Sequence, residues 1–146
     1  EITVALLQGT ALPVITIIPH GEFFDLKAKY TKGETTYLAP KTPEDVIDPN
    51  SQIPISIARD AQRQATLAFQ QLGMYGVCRA DFIVPCNGRF PDVSIDPDVR
   101  PVFLEMNAIP GMTETSLTPM AAGVLGITFE ELTLRIAEGS RLENQR

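Results

Sequence analysis

The sequence predicts an α+β fold, a mainly antiparallel sheet with helices flanking it. Three observations carry that expectation. Two β-rich runs open the chain within 19 residues, and two more bracket a long loop between Val77 and Ile109. Between these pairs lies a stretch with helical spacing of apolar residues, and capping signals announce further helices near the end.

The elements follow in order. Residues 1–8 and 13–19 contain ITVALLQ and PVITIIP, joined by a short loop at Gly9–Leu12, which reads as a hairpin or meander pair. PHGEFFD is a turn leading to a short apolar piece. A turn at Lys32–Gly33 precedes a strand TTYLA that Pro40 stops. Residues 41–54 are rich in Pro, Asp, Asn and Ser and read as loop. From Pro54 to Leu72 a helix is expected, with Ile57, Ala61, Ala65, Ala68, Phe69 and Leu72 on its inner stripe. Arg59, Arg63, Thr66 and Gln70 take the other side, and Gly73 is the stop. The segments VCRADFIVP and VFLEMNAI are strands that can pair antiparallel across the loop CNGRFPDVSIDPDVRP. Thr118 with Pro119 looks like a helix start, Thr as cap and Pro at the first position. Thr128 and Glu131 have capping-box spacing, and Phe129, Leu132 and Ile136 form the inner stripe of a closing helix.

Composition narrows the function classes. The chain has 146 residues, one domain by length, with 44% hydrophobic and 21% charged residues, enough to bury a core. A net charge of −6 argues against generic nucleic-acid binding. No apolar run reaches the ~20 residues needed to span a bilayer, so no membrane partner is expected. Cys78 and Cys86 lack zinc spacing, and Cys78 lies in an apolar run. A buried free thiol is expected there, which fits a cytoplasmic location. His20, in a Pro-His-Gly turn, is expected at the surface and is assigned no role.

The chemistry is in two strands. Side chains two apart on a strand share a face. Arg79 and Asp81 therefore share one face, with Ala80, Phe82 and Val84 on the other. Glu105 and Asn107 likewise share a face, opposite Val102, Leu104, Met106 and Ala108. If the strands are neighbours, one surface presents Arg79, Asp81, Glu105 and Asn107 together. Burying these groups unpaired would cost several kcal/mol. Two carboxylates and an amide oxygen form a hard-cation donor set, suited to Mg²⁺ or Mn²⁺, which share themselves with substrate phosphates. The face thus suggests a metal–nucleotide site; a solvated face with incidental charges is the alternative, and spacing alone leaves both open. Pro110–Gly111 then makes a tight turn where a glycine N–H can approach a ligand closely.

Taken together, EITVALL, LPVITIIP, FFDLKAKY, GVCRADF and FLEMNAIPGMTETSL resemble, in order and over most of the chain, the C-terminal part of D-alanine–D-alanine ligases of the ATP-grasp superfamily. The Glu-x-Asn segment followed by PGMT and Ser is the most specific piece, and AKY the next. The resemblance implies an ATP-grasp C-terminal domain over residues 1–146. It implies an ATP-dependent ligase that phosphorylates the carboxylate of one D-alanine and joins it to the amine of a second, for peptidoglycan precursor synthesis.

It also implies the site. Asp81, Glu105 and Asn107 would be ligands of two Mg²⁺ or Mn²⁺ ions, Glu105 bridging them. Arg79 and the N–H of Gly111 would stabilise the tetrahedral intermediate. Ser116 and Leu117 would receive the second D-alanine's carboxylate. Lys29 would contact the phosphates of ATP, and Tyr30 would help close the site. Glu1 resembles the family's ribose-binding Glu, while Phe23 and Leu104 resemble residues around the adenine. Strict alternation puts Leu104 opposite Glu105, a point of friction.

The chain departs from the family pattern at Ala108, where a hydroxyl residue is usual, and at Lys27, where an acidic residue is common. The loop from Asn87 to Pro101 is also longer than usual. The family's upstream lysines and glycine-rich phosphate loop are not among these residues, and neither GxxxxGK[ST] nor GxGxxG occurs. The chain opens in strand pattern without Met, so it is expected to be the later part of a longer protein, with upstream domains of the same chain as its partners. The isolated segment is expected to have little or no ligase activity. A homodimer is also compatible with the resemblance. The rival readings are the same chemistry on D-lactate, D-serine or another amino acid, and a non-catalytic nucleotide-binding remnant.

Overall fold

The computed structural model describes residues 1–20 and 35–143. Strand β1 (Ile2–Leu7) reads ITVALL with every residue buried. Such a continuous apolar strand belongs in the middle of a sheet covered on both faces. It turns back through Gln8 and Gly9, both at positive φ (51° and 82°), into the short β2 (Thr10–Ala11). Two central residues at positive φ match the twist of a two-residue hairpin. The turn thus lies one position earlier than the Gly9–Leu12 loop the sequence suggested. Leu6 pairs with Ala11 and Leu7 with Thr10, after which β3 (Ile15–Pro19) pairs Thr3 with Ile15 and Ile2 with Thr16. The return strand is therefore interrupted between β2 and β3, and β4 (Thr35–Leu38) pairs with β3 antiparallel.

Helix α1 (Ile55–Gln71) follows the irregular segment, which holds one 3-10 turn at Pro49–Ser51. Its inner face is Ile57, Ala58, Ala61, Ala65 and Phe69. Two members of the expected stripe differ. Ala68 is only half-buried, and Leu72 is 62% exposed because it lies past the last helical turn, at the C-cap. Gly73, at φ +61°, ends the helix. The Gly73 N–H donates to the Gln70 carbonyl and the Met74 N–H to the Phe69 carbonyl, a Schellman closure.

Strands β5 (Val77–Ile83) and β6 (Val102–Asn107) pair antiparallel, as their sequences suggested. Among the described residues the sheet order is β4-β3-β1-β5-β6, with β2 also paired to β1. Helix α2 (Leu117–Val124) begins before the expected Thr118–Pro119 start. Ser116 is its N-cap, so Thr118 falls inside the first turn, where it is fully buried. Helix α3 (Phe129–Glu143) starts as the capping box predicted, the Glu131 N–H donating to Thr128 Oγ1 at 3.2 Å.

Alternation along β1 divides the core. Ile2, Val4 and Leu6 join Cys78, Ala80 and Phe82 beneath α1. Ala5 and Leu7 join Leu12 and Ile15 beneath Ala121, Ala122 and Leu132 of α2 and α3. The second face carries the polar site. Gln8 clips the hairpin to α3, its Nε2 donating to the Arg135 carbonyl at 3.1 Å. No helix among the described residues is long and apolar enough to cross a membrane.

Candidate functional site

The four polar side chains singled out in the two strands come together. Arg79 lies opposite Asn107, and Asp81 opposite Glu105. On the other side of β5, Asp81 faces Thr3 and Arg79 faces Ala5. Two rows thus cross three strands: Thr3–Asp81–Glu105 and Ala5–Arg79–Asn107. Cross-strand partners share a face, so the carboxylates, amide and guanidinium occupy one patch of the sheet.

Asp81 is the fixed point of that patch. It is only 3% exposed and accepts three hydrogen bonds. Arg79 Nε donates to Oδ1 at 2.9 Å and Nη2 to Oδ2 at 2.8 Å, a bidentate ion pair. Thr3 Oγ1 donates to Oδ1 at 2.5 Å. The Asp81 hydrogen bonds hold the Arg79 pKa above its ordinary value; burial opposes this, and the charges of Asp81, Glu105 and Glu1 add to it. Glu105 is exposed and Asn107 half-buried, with Asn107 Oδ1 accepting from the Ile109 N–H at 3.2 Å.

Strict alternation fails between Glu105 and Phe103. The register shifts between Asp81 and Phe82, so that Phe82 pairs with Phe103 and Leu104 is skipped. Phe103, not Leu104, packs toward the core, its ring 5.3 Å from Phe82 in an edge-on contact. Val102 and Leu104 are 50% and 51% exposed, which corrects their expected place beside Met106 on the core face. A bulge adds one residue to one strand and reverses the parity beyond it. The friction at Leu104 thus has a physical origin: the residue lies in the bulge and is not committed to the core.

Beyond β6, Pro110 is buried and Gly111 exposed. A Cβ on Gly111 would lie 3.0 Å from Ser116 Oγ, a tight contact, so the turn brings Gly111 close to the start of α2. Ser116 Oγ accepts from the Thr113 N–H at 3.1 Å and pairs with Thr113 Oγ1 at 2.8 Å, which ties the loop together. Ser116 and Leu117 are half-buried at the helix start, where first-turn N–H groups lack partners within the helix.

Glu1 lines a cleft of about 500 Å³ together with Thr16, Pro19, His20, Thr36 and Cys86. The buried hydroxyl of Thr16 has no partner among the described residues. His20 is exposed, as expected, and bonds Thr36 Oγ1 at 2.8 Å. Phe23, Lys29 and Tyr30, with Lys27 and the Lys32–Gly33 turn, lie outside the described residues.

The patch fits a hard divalent cation by its chemistry. It offers two carboxylates and an amide oxygen, and Asp81 Oδ2 keeps lone-pair capacity beyond its bond to Arg79. Among the described residues no three His, Cys, Asp or Glu side chains cluster to hold a metal. Sequence reasoning missed Thr3. A lone Thr in an apolar strand gives no sign of its partner until the register places it opposite Asp81.

The antiparallel sheet with three α-helices among the described residues matches the C-terminal domain architecture of ATP-grasp ligases. The chain belongs to the family described as D-ala D-ala ligase C-terminus, whose model matches residues 1–138. It is 41% identical over 143 residues to the D-alanine–D-alanine ligase of Anaeromyxobacter sp. strain Fw109-5, covering 98% of this chain and 40% of that protein. With the ligase of Syntrophotalea carbinolica it shares 38% identity over 142 residues, covering 97% of this chain and 39% of that one. The structure of D-alanine–D-alanine ligase from Bacillus anthracis complexed with ATP matches at a TM-score of 0.68 and 27% identity, over 99% of this chain and 40% of that one. The chain therefore spans about 40% of the length of the curated relatives it matches.

Proposed function

We propose that this chain is the C-terminal ATP-grasp domain of an ATP-dependent ligase that joins two D-alanines for peptidoglycan precursors. The observation that carries the reading is the convergence of Arg79, Asp81, Glu105 and Asn107 on one sheet face, in a chain matched from residue 1 to residue 138 by its family. Upstream parts of the same protein would supply the remaining nucleotide and first-substrate contacts, in keeping with a chain that spans about 40% of its relatives.

A carboxylate is a poor electrophile, so the reaction needs a leaving group. A carboxylate oxygen of the first D-alanine attacks the γ-phosphorus of ATP, and ADP departs. The amine of the second D-alanine then attacks the acyl carbon, loses a proton, and inorganic phosphate leaves. Asp81, Glu105 and Asn107 would hold two Mg²⁺ or Mn²⁺ ions, which when bound supply neutralisation of the triphosphate charge. Arg79 and the Gly111 N–H would face the anionic tetrahedral intermediate as preorganised donors. Ser116 and Leu117, at the start of α2, suit the carboxylate of the second D-alanine, because helix N-termini favour anions. Glu1 would receive the ribose. Phe23, Leu104, Lys29 and Tyr30 keep the roles the family resemblance gives them.

The test uses the full-length protein with Mg-ATP, following phosphate release with and without D-alanine. Release should depend on D-alanine and yield the dipeptide. Glu105→Gln should lower kcat by about 100-fold or more, the scale of losing a group that stabilises transition-state charge. Since Glu105 is exposed, its fold should survive. Wild-type turnover in that variant removes the central metal ligand from the account, and no dependence on D-alanine points to another acceptor or to a nucleotide-binding remnant.

A further inference from the structure

Thr3 is buried to 1% exposure in the middle of β1, on the face that carries the polar patch. Its hydroxyl has one proton and two acceptors in reach: Asp81 Oδ1 at 2.5 Å and the Ala80 carbonyl at 3.2 Å. The carboxylate is the nearer acceptor and carries the charge, so the proton goes there. Oδ1 then accepts from both Thr3 and Arg79 Nε, which uses its two lone pairs. Oδ2 accepts only from Arg79 Nη2 among the described residues and keeps one lone pair.

We propose that Thr3 is a positioning residue for the metal site: its hydroxyl, reaching across from β1, saturates Oδ1 and fixes the carboxylate plane so that Oδ2 is the oxygen Asp81 offers to a divalent cation. This rests on the reading of Asp81 as a metal ligand. The physical case is that Arg79 alone does not secure the orientation. The guanidinium comes from the same strand, two residues away, on a long side chain with several rotatable bonds. Thr3 comes from a different strand and is immobilised by burial. Outer-shell hydrogen bonds of this kind orient ligands, and their loss typically costs 10–100-fold in metal affinity.

The experiment measures Mn²⁺ binding by electron paramagnetic resonance in the full-length protein with ADP present, comparing wild type, Thr3→Val, Thr3→Ala, Thr3→Ser and Asp81→Asn. Thr3→Val keeps the β-branched shape and removes the hydroxyl; it should weaken Mn²⁺ binding about 10-fold or more. Thr3→Ser keeps the hydroxyl and should bind within about threefold of wild type. Thr3→Ala removes the same group without adding a methyl and must shift binding in the same direction as Val, which guards against a packing artefact. Wild-type affinity in Thr3→Val, beside lost binding in Asp81→Asn, overturns the role of Thr3 and leaves Asp81 as a ligand. Wild-type affinity in Asp81→Asn overturns the reading beneath it as well. Equal loss in Ser and Val means that packing, not the hydroxyl, is responsible, and also overturns the proposal.

Discussion

Asp81 shows how one side chain can serve both fold and site. Its carboxylate is buried, and its ion pair with Arg79 is bidentate. A buried pair gains little net stability, but removing one partner strands the other and costs about 3–5 kcal/mol. Stability must therefore be measured beside activity for any substitution at either position. Cys78 is the opposite case, a residue used only for packing. It is fully buried, and desolvation pushes its thiol from 9.0 to about 11. Below pH 9 the thiol is protonated in both folded and unfolded chains, and its contribution to stability is complete. Between pH 9 and about 11 only the unfolded form ionises, so stability falls as the pH rises through that window. Cys86 is exposed. Iodoacetamide at pH 8 should label Cys86 rapidly and spare Cys78 until the protein is unfolded, as peptide mass spectrometry would show. Rapid native labelling of Cys78 would contradict its place in the core. The residue types of the site were legible in the sequence because Arg79, Asp81, Glu105 and Asn107 interrupt apolar runs. Thr3 was not, because a β-branched residue is ordinary in a strand and its hydrogen-bond partner lies 78 positions away.

At the level of elements, periodicity located strands and helices well and their edges less well. Alternation in β5 held along its length. In β6 it held only from Glu105 onward, since the bulge at Leu104 exchanges the faces of Phe103 and Val102. A bulge is set by pairing with a neighbour, which a single strand's pattern does not contain. The start of α2 was displaced too. Thr118 has the composition of a cap, but Ser116 takes that place, and Thr118, Pro119, Ala121 and Ala122 are buried within the helix that starts at Leu117. Gly9 was rightly marked as a turn residue, although the turn is centred on Gln8–Gly9. At φ +82° a side chain there is strained, and a Cβ would meet the Phe69 ring at 3.3 Å. Gly9→Ala should lower the urea unfolding free energy by about 1–2 kcal/mol, the usual cost of a left-handed backbone for an L-residue. An unchanged transition would mean that this turn does not hold the conformation described.

On the scale of the whole molecule, β1 is the axis. It pairs with β2 and β3 on one side and β5 on the other, and it packs beneath α1 on one face and α2 and α3 on the other. The rows crossing it carry the candidate metal ligands, so core and site share one scaffold. The arrangement also leaves apolar side chains in solvent beside the site, including Ile109 at 90% exposure and Leu104 at 51%. On the proposed function, further parts of a longer protein would complete the nucleotide site against this face. The most direct test of the central claim is anomalous diffraction at the manganese edge from crystals of the full-length protein grown with ADP and Mn²⁺. The account predicts manganese peaks in direct contact with oxygens of Asp81, Glu105 and Asn107. Manganese bound elsewhere, with Asp81 and Glu105 left to protein partners alone, would contradict it.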